Sequence, residues 1–421
     1  MDALVPTGRF RRLAKSTRAG AGAGAGALLG VQSRAAVQDA AQTLGELRGL
    51  AAKVGQLVGY VDGFSPERQS AVFERAMAPL QCRAPHSPPQ LVRGVVEQEL
   101  GHSIEHLFAE WEPQPFASAS IGQVHRARLH NGLAVAVKVQ HPGIVGALEA
   151  DLLNASLLEG AFSKLSPRAL NATEVFEFVA ERFREELDYL KEADNLREFR
   201  AIHALDDSVH LPRVVDEHSR RRVLTCSFCG GESLSAAQQH PEPFREYYAE
   251  TLWRFAVRSI VHAGVFNADP NPGNYLFAKD SKVVFLDFGC VQRLSGPQRD
   301  QLREMHRAAC QLDETGFRRA VVEWFGACGG AYENACVRFM RQLFRPIFES
   351  PFEVNRQFVR HVVYGIQELK KLMFMRDGSV MRFPPEMLLL NRLQFGLFSV
   401  LARLDVSLDY AQIAEDVLAE G

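Results

Sequence analysis

Two acidic residues and an amide whose spacing could do chemistry stand in the last half of the chain: Asp269 and Asn274 in "NADPNPGN", and Asp287 in "FLDFG". Moving a phosphoryl group from a nucleotide requires a hard divalent cation. Few protein oxygens hold it, because phosphates and water fill the remaining positions. An Asp followed five residues later by an Asn is the spacing of a phosphotransferase catalytic loop, with the Asp facing the acceptor and the Asn on the metal. Asp287 follows the apolar run "VVFL", where a second metal-binding acid belongs. Either motif alone also arises in ordinary turns and caps. The two in this order, with a strand between them, are specific.

Several elements must position such a set. In "AVAVKVQ", strand alternation sends Val135, Val137 and Val139 to one face and Ala134, Ala136 and Lys138 to the other. A lysine among small residues on a strand fit for burial needs an anionic partner, of which phosphate is one. A lysine snorkelling from a sheet edge is the plainer alternative. The runs on either side of Asn131-Gly132 predict a hairpin closed by a type I′ turn. "FASASIGQV" (116–124) occupies the place of a phosphate-covering loop, although it holds one glycine. Its Ala117, Ser118, Ala119 and Ser120 are the nucleotide-binding candidates. Residues 172–200 read as one long charged helix; Glu186 and Asp188 lie in it, after the lysine strand, where a phosphotransferase carries the Glu that pairs with its lysine. By itself that run is a solvated helix face. A further strand pair, "HLPRVV" and "RRVLTCSF", leads to Gly230-Gly231, and the remainder reads as mainly helical.

Composition narrows the class. The chain has 421 residues and a net charge of −2, which argues against a general nucleic-acid binder. Seven cysteines, an odd number spread over a long chain, do not form a secreted disulfide framework, so a reducing setting is expected. "CSFC" (226–229) lacks the second pair that a zinc site needs. The first 18 residues carry five basic side chains against one acid and lead into an Ala-Gly run. This is a flexible basic tail, an anchor for anionic lipid, or a transit peptide. Residues 34–62 show a helical apolar stripe. The C-terminal run 386–404 is interrupted by Asn391, Arg392, Gln394 and Arg403, so it reads as a buried core helix rather than a membrane span. Arg392 is assigned to packing.

The motifs together resemble the UbiB/AarF/ADCK family of atypical, protein-kinase-like proteins, linked to ubiquinone and isoprenoid-lipid metabolism. "AAKVGQL" matches its KxGQ motif at Lys53, Gly55 and Gln56. "PFASASIGQVHRA" matches its Ala-rich loop and "AVKVQHPG" its lysine strand. "EELDYLKEADN" carries its ExD motif, "NADPNPGN" its catalytic loop and "FLDFG" its metal aspartate. The resemblance implies a two-lobed, helix-rich α+β kinase-like fold with an N-terminal helical extension bearing KxGQ. It implies that Lys138 contacts nucleotide phosphates and pairs with Glu186. Asn274 and Asp287 would hold Mg2+, Asp269 would face the transferable phosphate, and Asp188 would link to a regulatory lid formed by Lys53 and Gln56.

The expected division is a tail over 1–32, the KxGQ extension over 33–112, an N-lobe over 113–229 and a helical C-lobe over 230–421. Two family histidines are replaced, by Asn267 and Asn271, which removes any imidazole from proton transfer there. Ser118 stands where the family more often has Ala. After "DFG" no APE motif follows and a Ser-Gly-Pro helix start comes at once, which argues against phosphorylating exposed protein segments. The expected function is Mg2+-dependent ATP binding and hydrolysis in support of ubiquinone or other isoprenoid-lipid metabolism. The expected partners are ATP, an isoprenoid lipid or quinone precursor, a peripheral membrane surface and quinone-pathway proteins. Alternatives are a small-molecule or lipid kinase, and a nucleotide-gated scaffold or chaperone. The expected setting is cytoplasmic with peripheral membrane association, or mitochondrial in a eukaryote.

Overall fold

A computed structural model of the chain describes residues 86–119, 121–149, 180–182, 184–278, 282–327, 329–374 and 386–420. The basic tail, the 34–62 helix with Lys53 and Gln56, Ser120, and residues 172–179 of the charged run lie outside the described residues. In chain order, the elements used below begin with α1 (Pro89–Leu100), β1 (Glu110–Trp111), β2 (Ala117–Ser118), β3 (Gly122–Arg128) and β4 (Ala134–Gln140). Next come α2 (Tyr189–Ile202), β5 (Val209–His210), β6 (Val223–Ser227), α3 (Glu242–Arg258), β7 (Val265–Asn267), β8 (Tyr275–Phe277), β9 (Val283–Phe285) and β10 (Val291–Arg293). The helices α4 (Gly296–Cys310) and α5 (Glu386–Leu404) complete the set. The chain divides into two compact units. The first holds the described residues up to 149, then 180–190 and Val214–Phe228; the second holds Lys191–Arg213 and the chain from Cys229 onward.

The first unit is built on an antiparallel sheet of order β1-β3-β4-β6, with β2 paired to β3. The alternation predicted for β4 is what the strand adopts: Val135, Val137 and Val139 are fully buried, while Ala136 and Lys138 are half-buried. The valine face packs with Val92, Val95, Val96 and Leu100 of α1 and with Phe108 in one apolar cluster. Removing that apolar area from water fixes which face of the sheet is closed, and Lys138 is left on the other.

Three local expectations are corrected. The β3–β4 turn is not type I′, which needs positive φ at both central residues. Gly132 has φ 85, whereas Asn131 is not among the non-glycine residues with positive φ. Gly132 N donates to Leu129 O at 2.9 Å and Leu129 N to Leu133 O at 2.9 Å. That is a three-residue loop with the glycine in the left-handed position. The charged run is not one helix either. It breaks at Leu187–Asp188 before α2, where Asp188 Oδ1 accepts the Leu190 N–H at 3.1 Å as a local cap. The predicted second strand pair is also divided: Val214 bridges to Cys226, while β5 pairs in parallel with β9 in the second unit.

In the second unit β5-β9-β8 and β7-β10 form two small ladders among helices. Helix α4 opens with Ser295 as cap in a reciprocal capping box with Gln298, the Ser-Gly-Pro start read from the sequence. Helix α5 buries Leu390, Leu393, Leu397, Phe398 and Leu401, as a core helix does. Among the described residues no helix is long and apolar enough to cross a membrane.

Candidate active site

In the first unit Lys138 lies mid-strand, opposite Val124 on β3 and Leu224 on β6. Its Nζ stands 5.1 Å from the centre of the Tyr189 ring, a cation–π distance. The Ala-rich loop is a tight hairpin: Ala117 pairs with Val124 and Ser118 with Gln123, and Ala119 N donates to Gly122 O at 2.8 Å. The single glycine has a steric reason. A Cβ on Gly122 would lie 2.4 Å from Val139 O and 2.6 Å from Tyr189 Oη, so only hydrogen fits. Glu186, just before the helix break, and Asp188, within it, are half-buried. Gln140, at the end of the lysine strand, pins that break by donating from Nε2 to Leu187 O at 2.8 Å.

In the second unit the two ladders bring their connecting loops together. Asn267 ends β7, opposite Val291 of β10; Tyr275 begins β8, opposite Phe285 of β9. Asn274 O accepts the Leu286 N–H at 3.0 Å, and Ala268 N donates to Cys290 O at 2.7 Å. The catalytic-type loop and the "DFG" segment are thereby laced side by side. Asn274 Nδ2 donates to Asp269 O at 2.9 Å and approaches Asp269 Oδ2 at 3.3 Å. With its amide nitrogen so engaged, Oδ1 is the Asn274 atom that could hold a metal. Asp287 Oδ1 accepts the Gly289 N–H at 2.9 Å. Asp269, Asn274 and Asp287 are each half-buried. Burial, and then the charge of Asp269, push the neighbouring Tyr275 phenol pKa upward.

The two asparagines that replace histidines hold this loop. Asn267 Nδ2 donates to Asp287 O at 2.5 Å, while its Oδ1 accepts the Asp269 N–H at 3.0 Å. One amide, donor and acceptor at once, therefore ties both aspartate backbones together at any pH. Asn271 Oδ1 accepts the Gly273 N–H at 2.9 Å and caps the short turn that presents Asn274.

Two residues to which the sequence reading assigns no part in the site stand here. Glu192, on α2, is 5% exposed. A Cβ built on Gly289 would lie 3.2 Å from Asp287 Oδ1 and 3.6 Å from Glu192 Oε2, so both carboxylates flank one spot. The signal was available: Glu192 shares a helix face with the buried Tyr189, Leu196 and Phe199. Asn195, one position before Leu196, donates from Nδ2 to Phe288 O at 2.9 Å and anchors α2 to the "DFG" segment. Arg392 is the second, and its assignment to packing is corrected. Its Nη2 lies 2.5 Å from Asp269 Oδ1, with side-chain exposures of 16% and 30%.

Residues 79–321 match the family profile of the ABC1 atypical kinase-like domain. The chain is 34% identical over 278 residues to the mitochondrial atypical kinase COQ8B of Rattus norvegicus, a match covering 65% of this chain and 51% of that protein. It is 26% identical over 383 residues to the mitochondrial atypical kinase COQ8 of Saccharomyces cerevisiae, covering 89% and 74%. The chain thus spans about half the length of the rat relative. A solved structure of Rv3197 from Mycobacterium tuberculosis in complex with erythromycin superposes with a TM-score of 0.63 at 25% identity, covering 89% of this chain and 93% of that one. The match covers more than half of the chain, and with the kinase-like α+β fold it leads to one conclusion: the protein belongs to the ABC1 atypical kinase-like family, the UbiB/AarF/ADCK proteins.

Proposed function

We propose that the protein is a Mg2+-dependent ATP-binding enzyme that hydrolyses ATP in support of ubiquinone or other isoprenoid-lipid metabolism. The observation that carries this reading is the lacing of Asp269, Asn274 and Asp287 into one half-buried cluster. A carboxylate and an amide oxygen are hard donors, and few of them suit an ion that keeps its phosphate and water ligands. Asn274 Oδ1 and Asp287 are the groups that would hold Mg2+, which when bound neutralises charge on the nucleotide phosphates.

The remaining roles belong to the chain itself. Lys138 offers a point charge to the phosphates from a rigid strand, the hairpin that holds Ala117, Ser118 and Ala119 covers them, and Ser120 keeps the nucleotide-binding assignment of the family resemblance. Asp269 orients the acceptor. Glu192 adds a buried carboxylate beside Asp287 that suits a cationic partner. Glu186, Asp188, Lys53 and Gln56 carry the lid assignment of the family resemblance. A membrane surface, a quinone precursor and quinone-pathway proteins are the partners that the reading entails, with the chain acting at the membrane surface rather than within it.

ADP release from Mg-ATP, with and without anionic liposomes, tests this. Mg2+-dependent turnover that Asp287→Asn abolishes is expected. ATP binding without ADP under any condition would replace the enzyme by a nucleotide-gated scaffold.

A further inference from the structure

Helix α5 approaches the catalytic-type loop with two residues four apart, which therefore share a face. Arg392 Nη2 meets Asp269 Oδ1 at 2.5 Å. One turn later Gly396 lies so close to the next loop residue that an added Cβ would fall 2.1 Å from Pro270 Cγ and 3.2 Å from Pro270 O. The helix thus grips two consecutive residues, one by charge and one by shape. The opposite oxygen of the same carboxylate, Asp269 Oδ2, faces Asn274 Nδ2 at 3.3 Å. The carboxylate is therefore held from both ends, by donors on separate elements.

We infer that Arg392 is a positioning residue for phosphoryl transfer: it fixes the Asp269 carboxylate in the one orientation that aligns the acceptor, from a helix more than a hundred residues away in sequence. The inference rests on the reading of Asp269 given above. A planar guanidinium suits the task because its N–H groups have fixed directions and it stays charged. A carboxylate released from that bond regains its torsional freedom, and loss of alignment at a reacting centre lowers turnover more than nucleotide binding.

The test compares wild type with Arg392→Ala and Arg392→Gln by steady-state ADP release over a range of Mg-ATP, by nucleotide binding and by thermal melting. Expected is a fall in kcat of roughly 10- to 100-fold with KM and nucleotide affinity within about 2-fold, and partial recovery of kcat in Arg392→Ala when guanidinium ion is added. If Arg392→Ala does not fold, the same split in Arg392→Gln decides. Unchanged kcat would overturn the inference. So would a loss shared by KM and melting temperature that guanidinium does not relieve, since that is a merely structural role. Both of those results leave the ATPase reading standing. A wild-type chain that binds Mg-ATP yet releases no ADP overturns both, because the carboxylate then has no acceptor to align.

Discussion

Two aspartates in the second unit each meet arginine, and they are built for different ends. Asp206 has a side chain only 6% exposed, with Arg254 Nε at 3.0 Å and Arg258 Nη1 at 2.6 Å. Ser208 Oγ donates to its Oδ1 at 2.5 Å. The arginines are themselves committed, Arg254 to Glu250 and Arg258 to Glu420 at 2.5 Å. Burial opposes the charge of Asp206, but the bonds from Arg254, Ser208 and Arg258 outweigh it and hold the carboxyl pKa well below the usual range. Asp269, by contrast, has a side chain 30% exposed and, among the described residues, a single arginine partner, Arg392. A saturated, closed carboxylate has no capacity left for a substrate. A held but open one does, and that difference separates an ion pair that maintains the fold from one that serves a site.

The comparison breaks most sharply on exchanged substitutions. Asp269→Asn should lower ADP release by about 10²- to 10⁴-fold while costing at most about 1.5–3 kcal/mol of stability, for the single charged hydrogen bond to Arg392 that it weakens. Asp206→Asn should do the reverse. It leaves two arginines without their shared anion and should cost about 3–5 kcal/mol of stability, with the turnover of the folded fraction preserved. Urea unfolding alongside ADP release reads both, and equal effects of the two changes on both assays would remove the distinction.

Acid sharpens the same contrast. His203 stacks on Phe255 near Asp206, and burial followed by the charge of Arg258 pulls its pKa to about 3. Burial alone pulls His306, which donates to Leu302 O at 2.8 Å, to about 4. The unfolded chain therefore takes up protons that these rings refuse once pH drops below about 6.5. Their contribution is complete above that pH and is lost as pH falls toward 4. Protonation of Asp206, whose folded pKa is depressed, adds a loss of the same sign below about 3.8. The unfolding free energy from urea curves should fall between pH 7 and 4.5, by at most about 1.4 kcal/mol per pH unit for each ring. His306→Phe should flatten the slope; an unaltered slope would assign the acid loss elsewhere.

The smallest expected effect lies next to Arg392. Asn391 is 3% exposed, and neither its Nδ2 nor its Oδ1 has a hydrogen-bond partner among the described residues. Asn391→Leu should be neutral or stabilise by about 1–2 kcal/mol, measured as a raised urea midpoint. Destabilisation instead would mean that the amide serves the placement of Arg392.

Much of the site was legible because its logic is local. The spacing of Asp269, Asn274 and Asp287 lies within one loop and the ladder after it, and backbone bonds such as Asn274 O with Leu286 N follow from that short stretch. The alternation around Lys138 needs only the period of a strand. The Asn131-Gly132 turn misled because the dipeptide serves both loop lengths, and the register of β3 on β4 chose the longer. The helix break at Asp188 was hidden because a run of charges matches a solvated helix, while the bond from Gln140 that pins it comes from a strand 47 residues away.

What the sequence by itself determined is which residues share a face, a turn or a loop: the valine and lysine faces of β4, the Ser-Gly-Pro helix start at Ser295, the family and its catalytic-type motifs. What only the tertiary structure decided is which faces meet. Arg392 finds Asp269, Glu192 lies beside Asp287, and Asn267 joins two aspartates. The physical reason is that periodicity acts over a few residues. Contacts such as that of Arg392, 123 residues from its partner, are set by the close packing of whole elements, whose complementarity no local pattern records.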